Sequence, residues 1–160
     1  MTRDGAPTAP ATTQLGFDAL FAIAHVQAHA VRLIDDALAR AHGANLTGYE
    51  LLRRLQVMHP DGASVRFLSD QVLLSPSRVS RVVDEFVSRG LLERATSPHD
   101  GRLSLVRLTA AGRAELGGMD ATFEQALTAN FLDRLTVEQV RALIDIGHAL
   151  GAPHCDGSHG

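Results

Sequence analysis

A short run of serine and arginine side chains near the middle of the chain has the chemistry of a nucleic-acid contact surface. The run comprises Ser77, Arg78, Ser80 and Arg81, and it lies near the start of a predicted helix. The planar guanidinium of arginine binds phosphate oxygens and guanine edges through paired hydrogen bonds, and serine hydroxyls also bond to phosphates. The pattern therefore predicts contact with DNA, and the alternative is a helix face that is only solvated.

A second group of candidates lies in a predicted β-hairpin. Two short apolar and β-branched stretches, Leu91 to Thr96 and Leu103 to Leu108, flank a turn that contains Pro, Gly and charged residues. This pattern is typical of a hairpin with an exposed basic tip, here called the wing. The complete set of candidate DNA-binding residues is Ser64, Ser75, Ser77, Arg78, Ser80, Arg81, Arg94, Asp100, Arg102 and Arg107.

The composition is that of a single globular domain. The chain has 160 residues, of which 45% are hydrophobic and 21% are charged. No apolar run approaches the roughly 18 to 20 residues that cross a bilayer, and the first residues do not resemble a signal peptide, so we expect a cytoplasmic protein. The formal net charge is -3, but the segment from Arg53 to Arg107 holds nine Arg and six acidic residues. The candidate DNA-binding residues thus fall mostly in a locally basic segment.

An enzyme is the second functional class to weigh. Catalysis needs a nucleophile with a base, a pair of carboxylates in a pocket, or a glycine-rich phosphate loop. None of these occurs in this sequence at a convincing spacing. A third class is a winged-helix protein that binds another protein. Such a protein would lack exposed arginines on the helix that corresponds to the one bearing Arg78 and Arg81. We therefore expect no catalysis and no cofactor.

Histidine and cysteine side chains raise the alternative of a regulator that responds to metal or oxidants. His25 and His29 are spaced i, i+4, so both imidazoles share one face of the first predicted helix, and His42 follows at its end. Cys155, the single cysteine, lies in a predicted loose tail. No carboxylate or thiolate accompanies His25 and His29, which makes a metal site there weak. We therefore favour an effector pocket, for which the candidate residues are His25, His29 and Arg53. The weak metal candidates are His25, His29, His42, His154, Cys155 and His159.

Helix caps and apolar spacing outline the elements that position these residues. Apolar residues recur at three and four positions from Phe17 to near Gly43, which predicts a long amphipathic helix. The other predicted helix starts are Thr47 with Glu50, Ser64, Ser75 with Pro76, Thr109, and Thr136 with Gln139. The fifth helix is predicted to continue to Phe131 with a kink at Gly117 and Gly118. We expect disordered tails at 1–14 and 154–160, a lobe over 45–109, and outer helices over 15–43 and 110–151, all within one domain at 15–153.

Several motifs together resemble the multiple-antibiotic-resistance-regulator (MarR) family of bacterial transcription factors. They are Ser77 to Asp84 on the fourth helix, Arg89 to Arg94 after it, Asp100-Gly101-Arg102 in the wing, and Leu108 to Gly112 at the start of the fifth helix. The order of helices outside this segment also fits, so the resemblance covers roughly residues 16 to 150. It implies a mainly α fold with a small β-hairpin, a winged helix-turn-helix with long terminal dimerisation helices.

The resemblance also implies a function and specific roles. We expect a homodimeric repressor of an inverted-repeat (palindromic) promoter site on double-stranded DNA, released when a small-molecule effector binds, with no membrane association. In the family, the arginine equivalent to Arg102 enters the minor groove and the aspartate equivalent to Asp100 holds the hairpin tip. Ser104 departs from the basic residue that relatives often carry there. Arg94 and Arg107 are expected to compensate for that loss.

Overall fold

The computed structural model describes residues 9–72, 75–96 and 104–151, with side chains described from residue 13. The chain forms six α-helices, one short 3-10 helix and two β-strands over this part. They are, in order, α1 Ala9–His42, α2 Leu46–Met58, α3 Val65–Gln71, α4 Pro76–Ser88, β1 Leu92–Thr96, β2 Ser104–Leu108, α5 Ala110–Asn130, the 3-10 helix Leu132–Arg134, and α6 Val137–Ala149. This is the mainly α winged-helix architecture that the sequence predicts.

Three of the predicted helix starts are confirmed by side-chain hydrogen bonds at the first turn. The Ser64 hydroxyl accepts from the Phe67 amide at 3.2 Å, and the Thr109 hydroxyl accepts from the Gly112 amide at 2.9 Å. Thr136 and Gln139 form the reciprocal capping box at the start of α6. Each of these side chains satisfies a backbone amide that the first turn of a helix leaves unpaired.

Two predicted helix starts are wrong. The cap of α2 is Asn45, whose side-chain oxygen accepts from the Gly48 amide at 2.9 Å, and the predicted cap Thr47 lies inside the helix. Asn is as good a cap as Ser or Thr, so the helix can begin at the earlier residue. The Asp35 carboxylate of α1 also accepts a hydrogen bond from the Leu46 amide at 2.7 Å, which favours this earlier start. Helix α1 begins at Ala9, inside the predicted tail, because Pro10 is tolerated in a first turn.

The two strands pair as the predicted antiparallel hairpin. Leu92 lies opposite Leu108, and Thr96 lies opposite Ser104. Ala63 exchanges two backbone hydrogen bonds with Val106, at 3.0 and 2.8 Å, so the loop between α2 and α3 joins the edge of β2. The base of the wing is therefore fixed to the lobe. The predicted tip, with Asp100 and Arg102, lies outside the described residues.

The hydrophobic core fills the lobe and continues to the outer helices. Its largest fully buried side chains are Phe86, Leu38, Leu51, Leu52, Leu55, Leu68, Leu92, Leu116, Met119, Val79, Val83 and Val106. Two glycines permit the closest approaches: a Cβ at Gly48 would lie 2.7 Å from the Phe86 ring, and one at Gly112 would lie 2.0 Å from the Leu91 carbonyl oxygen. Close packing at these positions holds α4 on α2 and α5 on the hairpin.

Helices α1 and α6 leave large apolar side chains uncovered. Between Thr13 and His42, α1 is long and apolar enough to cross a membrane by length and composition alone, and only 6% of its apolar stretch is buried in the chain. The sequence did not point to this stretch, because its apolar character is spread over many alanines and isolated large residues, and a single helix of this kind is weak evidence for a membrane span. The exposed large apolar residues are Leu15, Phe17, Leu20, Phe21, Ile23 and Val26 on α1, and Val137, Leu143, Ile144 and Ile146 on α6.

Two glycines of α5, Gly112 and Gly117, provide a matched test of how closely α5 packs on the hairpin. Gly112→Ala is expected to destabilise the protein by about 2 kcal/mol or more, since the new methyl overlaps the Leu91 carbonyl oxygen. Gly117→Ala is expected to stabilise it by up to about 1 kcal/mol, because the new methyl meets no atom within 4 Å beyond its chain neighbours and the backbone of its own helix, and alanine favours the helix. Urea unfolding of both variants measures the difference, and equal stability of Gly112→Ala and the unsubstituted protein would contradict the packing described.

Candidate nucleic-acid interface

Helix α4 has one fully buried face and one open face. Val79 and Val83 have no exposed surface and Phe86 is 1% exposed, so these side chains fix the orientation of the helix on the lobe. The opposite face bears Ser77, Arg78 and Arg81 as exposed residues, with Ser80 half-buried beside them. The spacing of the buried residues at four and three positions leaves the intervening polar positions directed outwards. The structure thus presents the predicted run as one continuous polar surface.

Among the described residues, no carboxylate forms an ion pair with Arg78 or Arg81. Glu85 lies four residues after Arg81, but its carboxylate is 3.5 Å from Arg89 instead. Within residues 9–72, 75–96 and 104–151, neither Arg78 nor Arg81 makes an ion pair. Both guanidinium groups are therefore available to an external anion.

An open groove runs between α4 and the start of α2. Its volume is about 220 Å³, and it is lined by Asn45, Thr47, Arg78, Arg81 and Val82. Two cations and two short polar side chains on one concave surface suit a phosphate group. The sequence did not point to Asn45 or Thr47 as neighbours of the arginines, although both belong to the polar start of a helix, which is a usual place for phosphate contacts.

The two candidate serines at helix starts differ in their availability. Ser64 is half-buried, and its hydroxyl is occupied in capping α3. Ser75 makes no capping hydrogen bond, and its hydroxyl lies 3.2 Å from that of Ser77 at the exposed start of α4. Ser75 and Ser77 thus belong to the same surface as the arginines, whereas Ser64 serves the fold.

The two candidate arginines on the strands are paired with carboxylates. Arg94 donates to Asp84 of α4 at 2.7 Å, and Arg107 donates to Glu93 on the opposite strand at 2.6 Å. Such exposed ion pairs are weak, so a phosphate can compete for either guanidinium. The sequence did not reveal these pairings, and they make Arg94 and Arg107 less available than Arg78 and Arg81.

The structure does not gather the candidate effector and metal residues into one site. His25 and His29 are exposed on α1, and the His29 Nδ1 lies 3.3 Å from Arg32. His42 instead lies between Glu115 and Thr122 of α5, at 3.0 and 2.9 Å. Among the described residues, no three His, Cys, Asp or Glu side chains form a group able to hold a metal. His154, Cys155 and His159 lie outside those residues.

Arg53, the third effector candidate, belongs to a polar cluster between α2 and α5. It donates to the Tyr49 hydroxyl oxygen at 2.8 Å, and that hydroxyl donates to Asp120 at 2.7 Å. The Tyr49 ring stacks on Phe123 with centroids 4.8 Å apart. Burial, with a further contribution from the bond to Asp120, raises the pKa of Tyr49 to about 12, while Arg53 opposes that rise. Tyr49 was missed from the sequence because Asp120 is distant along the chain.

The pKa of Tyr49 can be measured directly, since it is the only tyrosine and the chain has no Trp. We expect the ultraviolet absorbance of the phenolate to report a pKa of about 12 in the folded protein and about 10 after unfolding in urea. A raised folded pKa stabilises the fold below pH 10, and this contribution is lost as the pH rises through 12. Asp120→Asn should lower the pKa and Arg53→Met should raise it further.

Circular dichroism at each pH shows whether the chain is still folded during the titration. A Tyr49 pKa near 10 in the folded protein, unchanged by Asp120→Asn, would contradict the described hydrogen bonds.

Comparison with known proteins relates this geometry to transcriptional regulators. The pattern that defines the MarR family matches residues 57–103, which span the end of α2, α3, α4 and most of the wing. A protein described as the uncharacterized HTH-type transcriptional regulator YdgJ of Bacillus subtilis (strain 168) is 31% identical over 104 residues, covering 65% of this chain and 62% of that protein. The chain thus spans less than two thirds of the length of this relative.

Two further comparisons agree with this result. The HTH-type transcriptional repressor IacR of Pseudomonas putida is 28% identical over 118 residues, covering 66% of this chain and 70% of that protein. The structure of Sco3205, a MarR family transcriptional regulator from Streptomyces coelicolor solved in complex with DNA, superposes with a TM-score of 0.77 at 24% identity. That superposition covers 92% of this chain and 91% of the other, so the two chains share a fold.

Proposed function

We propose that the chain is a member of the MarR family and acts as a homodimeric, sequence-specific regulator that binds double-stranded DNA, a proposal supported by the family match over residues 57–103 and by the likeness to HTH-type regulators. The observation that carries the proposal is the pair of arginines, Arg78 and Arg81, which form no ion pair with the described residues and lie on the exposed face of a helix whose other face is fully buried. A major groove about 12 Å wide admits a helix of this kind. Arginine there contacts phosphates and guanine edges, and the adjacent serine hydroxyls contact the backbone.

A second copy of the chain would cover the exposed apolar faces of α1 and α6. These faces hold large side chains such as Phe17 and Phe21, which are 53% and 60% exposed in the single chain. An open, mostly apolar groove also runs along α6, and it is lined by Leu135, Gln139, Ala142, Leu143 and Ile146. A two-fold dimer built on these faces presents two α4 helices, and in helix-turn-helix dimers these lie about 34 Å apart, one turn of DNA. The preferred operator is then an inverted repeat.

The wing completes the proposed contact with DNA. Its base is held by the Ala63 and Val106 backbone pairing. By family resemblance, Arg102 enters the neighbouring minor groove and Asp100 stabilises the hairpin tip. Arg94 and Arg107 exchange their carboxylate partners for phosphate oxygens if the wing strands approach the DNA backbone.

Repression and release by a small molecule extend the same proposal. The resemblance to the family and the name of the Pseudomonas putida relative, a repressor, support this extension. His25, His29 and Arg53 stay candidates for the effector contact. An effector that favours a dimer with displaced α4 helices weakens DNA binding, and DNA must weaken effector binding by the same factor. The proposed location is the cytoplasm, where such a regulator meets its promoter.

Loss of the α4 arginines should weaken DNA binding in a salt-dependent manner. An inverted-repeat site is first selected from random duplexes with the unsubstituted protein. Arg78→Ala and Arg81→Ala should each lower affinity at least about tenfold and reduce the steepness of its salt dependence by about 1 to 2, because each subunit loses a phosphate or base contact. Fluorescence anisotropy over a series of salt concentrations measures both quantities.

Arg134→Ala is the matched control, since Arg134 is exposed on the short 3-10 helix, which packs against α5. It should leave affinity and salt dependence unchanged. Failure of the unsubstituted protein to enrich any duplex would overturn the proposed function.

Charge on the exposed face of α6 should separate the proposed dimer. Ile146→Glu, at a residue 49% exposed in the single chain, is expected to give monomers at micromolar concentration, because a carboxylate would be buried without a partner. Val57→Glu is the control, since Val57 is 59% exposed on the lobe. Sedimentation velocity distinguishes the two variants, and an Ile146→Glu protein that stays dimeric would show that α6 is not the interface.

A further inference from the structure

Arg89 joins the end of helix α4 to the end of helix α1. Its guanidinium donates to the His42 carbonyl at 2.6 Å and to the Gly43 carbonyl at 3.1 Å. The last carbonyls of a helix have no partner within that helix and carry partial negative charge. An arginine from another helix therefore satisfies the end of α1, and the two helix ends are held at a fixed distance.

Helix α5 meets the same junction. The His42 imidazole lies 3.0 Å from the Glu115 carboxylate and 2.9 Å from the Thr122 hydroxyl, and Arg89 lies 4.0 Å from Glu115. Nδ1 of His42 donates to the carboxylate, and Nε2 accepts from the hydroxyl when the ring is neutral. Arg89, His42, Glu115 and Thr122 thus form a connected polar junction among α1, α4 and α5.

The junction is rigid on the α4 side. The Arg89 guanidinium also lies over the Phe86 ring, 5.3 Å from its centroid, and Phe86 is itself buried against Gly48 of α2. Other polar contacts between the lobe and the outer helices, such as those from Asp35 to Leu46 and from Tyr49 to Asp120, hold α2. Among the described residues, the hydrogen bonds and ion pairs that tie α4 to α1 and α5 are those of Arg89.

We propose that Arg89 is a positioning residue, which sets the separation and angle of the two α4 helices in the dimer without touching DNA. This inference rests on the proposed function, in which α1 and α5 belong to the dimer framework and α4 reads DNA. Arg89 lies about 16 Å along the helix axis from Arg78, at the end opposite the proposed groove contacts. Its donors are occupied by protein carbonyls, whereas those of Arg78 have no carboxylate partner in the described chain.

The test compares two DNA targets for each variant. One target is the full inverted-repeat site selected by the unsubstituted protein, and the other is a duplex with a single half-site. Arg89→Gln should lose about tenfold in affinity for the full site and less than about twofold for the half-site, because only the full site requires both helices at the correct separation. The salt dependence should stay unchanged, since no phosphate contact is removed.

Two further variants make the comparison specific. Arg54→Gln is the matched control, because Arg54 has the same 30% side-chain exposure as Arg89 and also pairs with a glutamate four residues away. It should lose no affinity for either target. Arg89→Lys keeps the charge but loses the two-pronged geometry, so it should recover part of the affinity for the full site. Equal losses on both targets, or no loss on the full site, would overturn the positioning role.

A measurement without DNA separates this inference from the proposed function. In hydrogen exchange of the free protein, Arg89→Gln should speed exchange at the last turn of α1 and the last turn of α4 and leave α2 unchanged. If the unsubstituted protein selects no DNA, the proposed function fails, and this measurement still tests the junction. Unchanged exchange at both helix ends would show that Arg89 does not constrain α4.

Discussion

The burial of one face of helix α4 is the constraint on which the rest of the structure depends. Val79, Val83 and Phe86 lie in the core of the lobe with at most 1% of their surface exposed. Each buried side chain of this size contributes about 1.5 to 3 kcal/mol relative to an exposed one, which is far more than an exposed arginine contributes to stability. The apolar residues therefore decide how the helix is oriented, and they leave the arginines exposed on the other face.

The neighbouring elements act mainly by keeping that orientation fixed. Gly48 allows the Phe86 ring to approach the backbone of α2, and Gly112 allows the start of α5 to approach the Leu91 carbonyl. The pairing of Ala63 with Val106 then fixes the base of the wing relative to α4. A rigid lobe of this kind presents its polar surface without paying conformational entropy at each binding event. In the proposed dimer, α1 and α6 set the distance between two such lobes.

Local signals in the sequence predicted the parts of the fold that depend on local chemistry. Ser64, Thr109 and Thr136 start helices because their hydroxyls bond to amides three residues later, and this spacing is visible in the sequence. The same signals misplaced the start of α2, because Asn45 and Thr47 are both good caps and the bond from Leu46 to Asp35 of another helix favours the earlier start. The residues on the exposed face of α4 were predicted correctly, because the spacing of apolar residues within one helix determines which positions face outwards.

Contacts between distant residues were not predictable from local patterns. The bonds from Tyr49 to Asp120, from Arg89 to His42 and from His42 to Glu115 join residues far apart in sequence. A histidine at the end of a helix suggested a metal ligand in the sequence, whereas the fold gives His42 hydrogen-bond partners on α5. The pairing of Arg94 with Asp84 likewise depends on how β1 returns towards α4. Such contacts require the tertiary structure, because each partner alone has many other possible roles.

The most direct measurement of the central claim is photochemical crosslinking from the open face of α4. A photoreactive side chain placed at Ser77, which is exposed at the start of the helix, reports which bases lie beside it. On the selected duplex, we expect two crosslinked positions, symmetric about the centre and about 10 base pairs apart. Crosslinks scattered without symmetry, or none at all while the same probe at the wing strands reacts, would contradict the claim that α4 reads DNA.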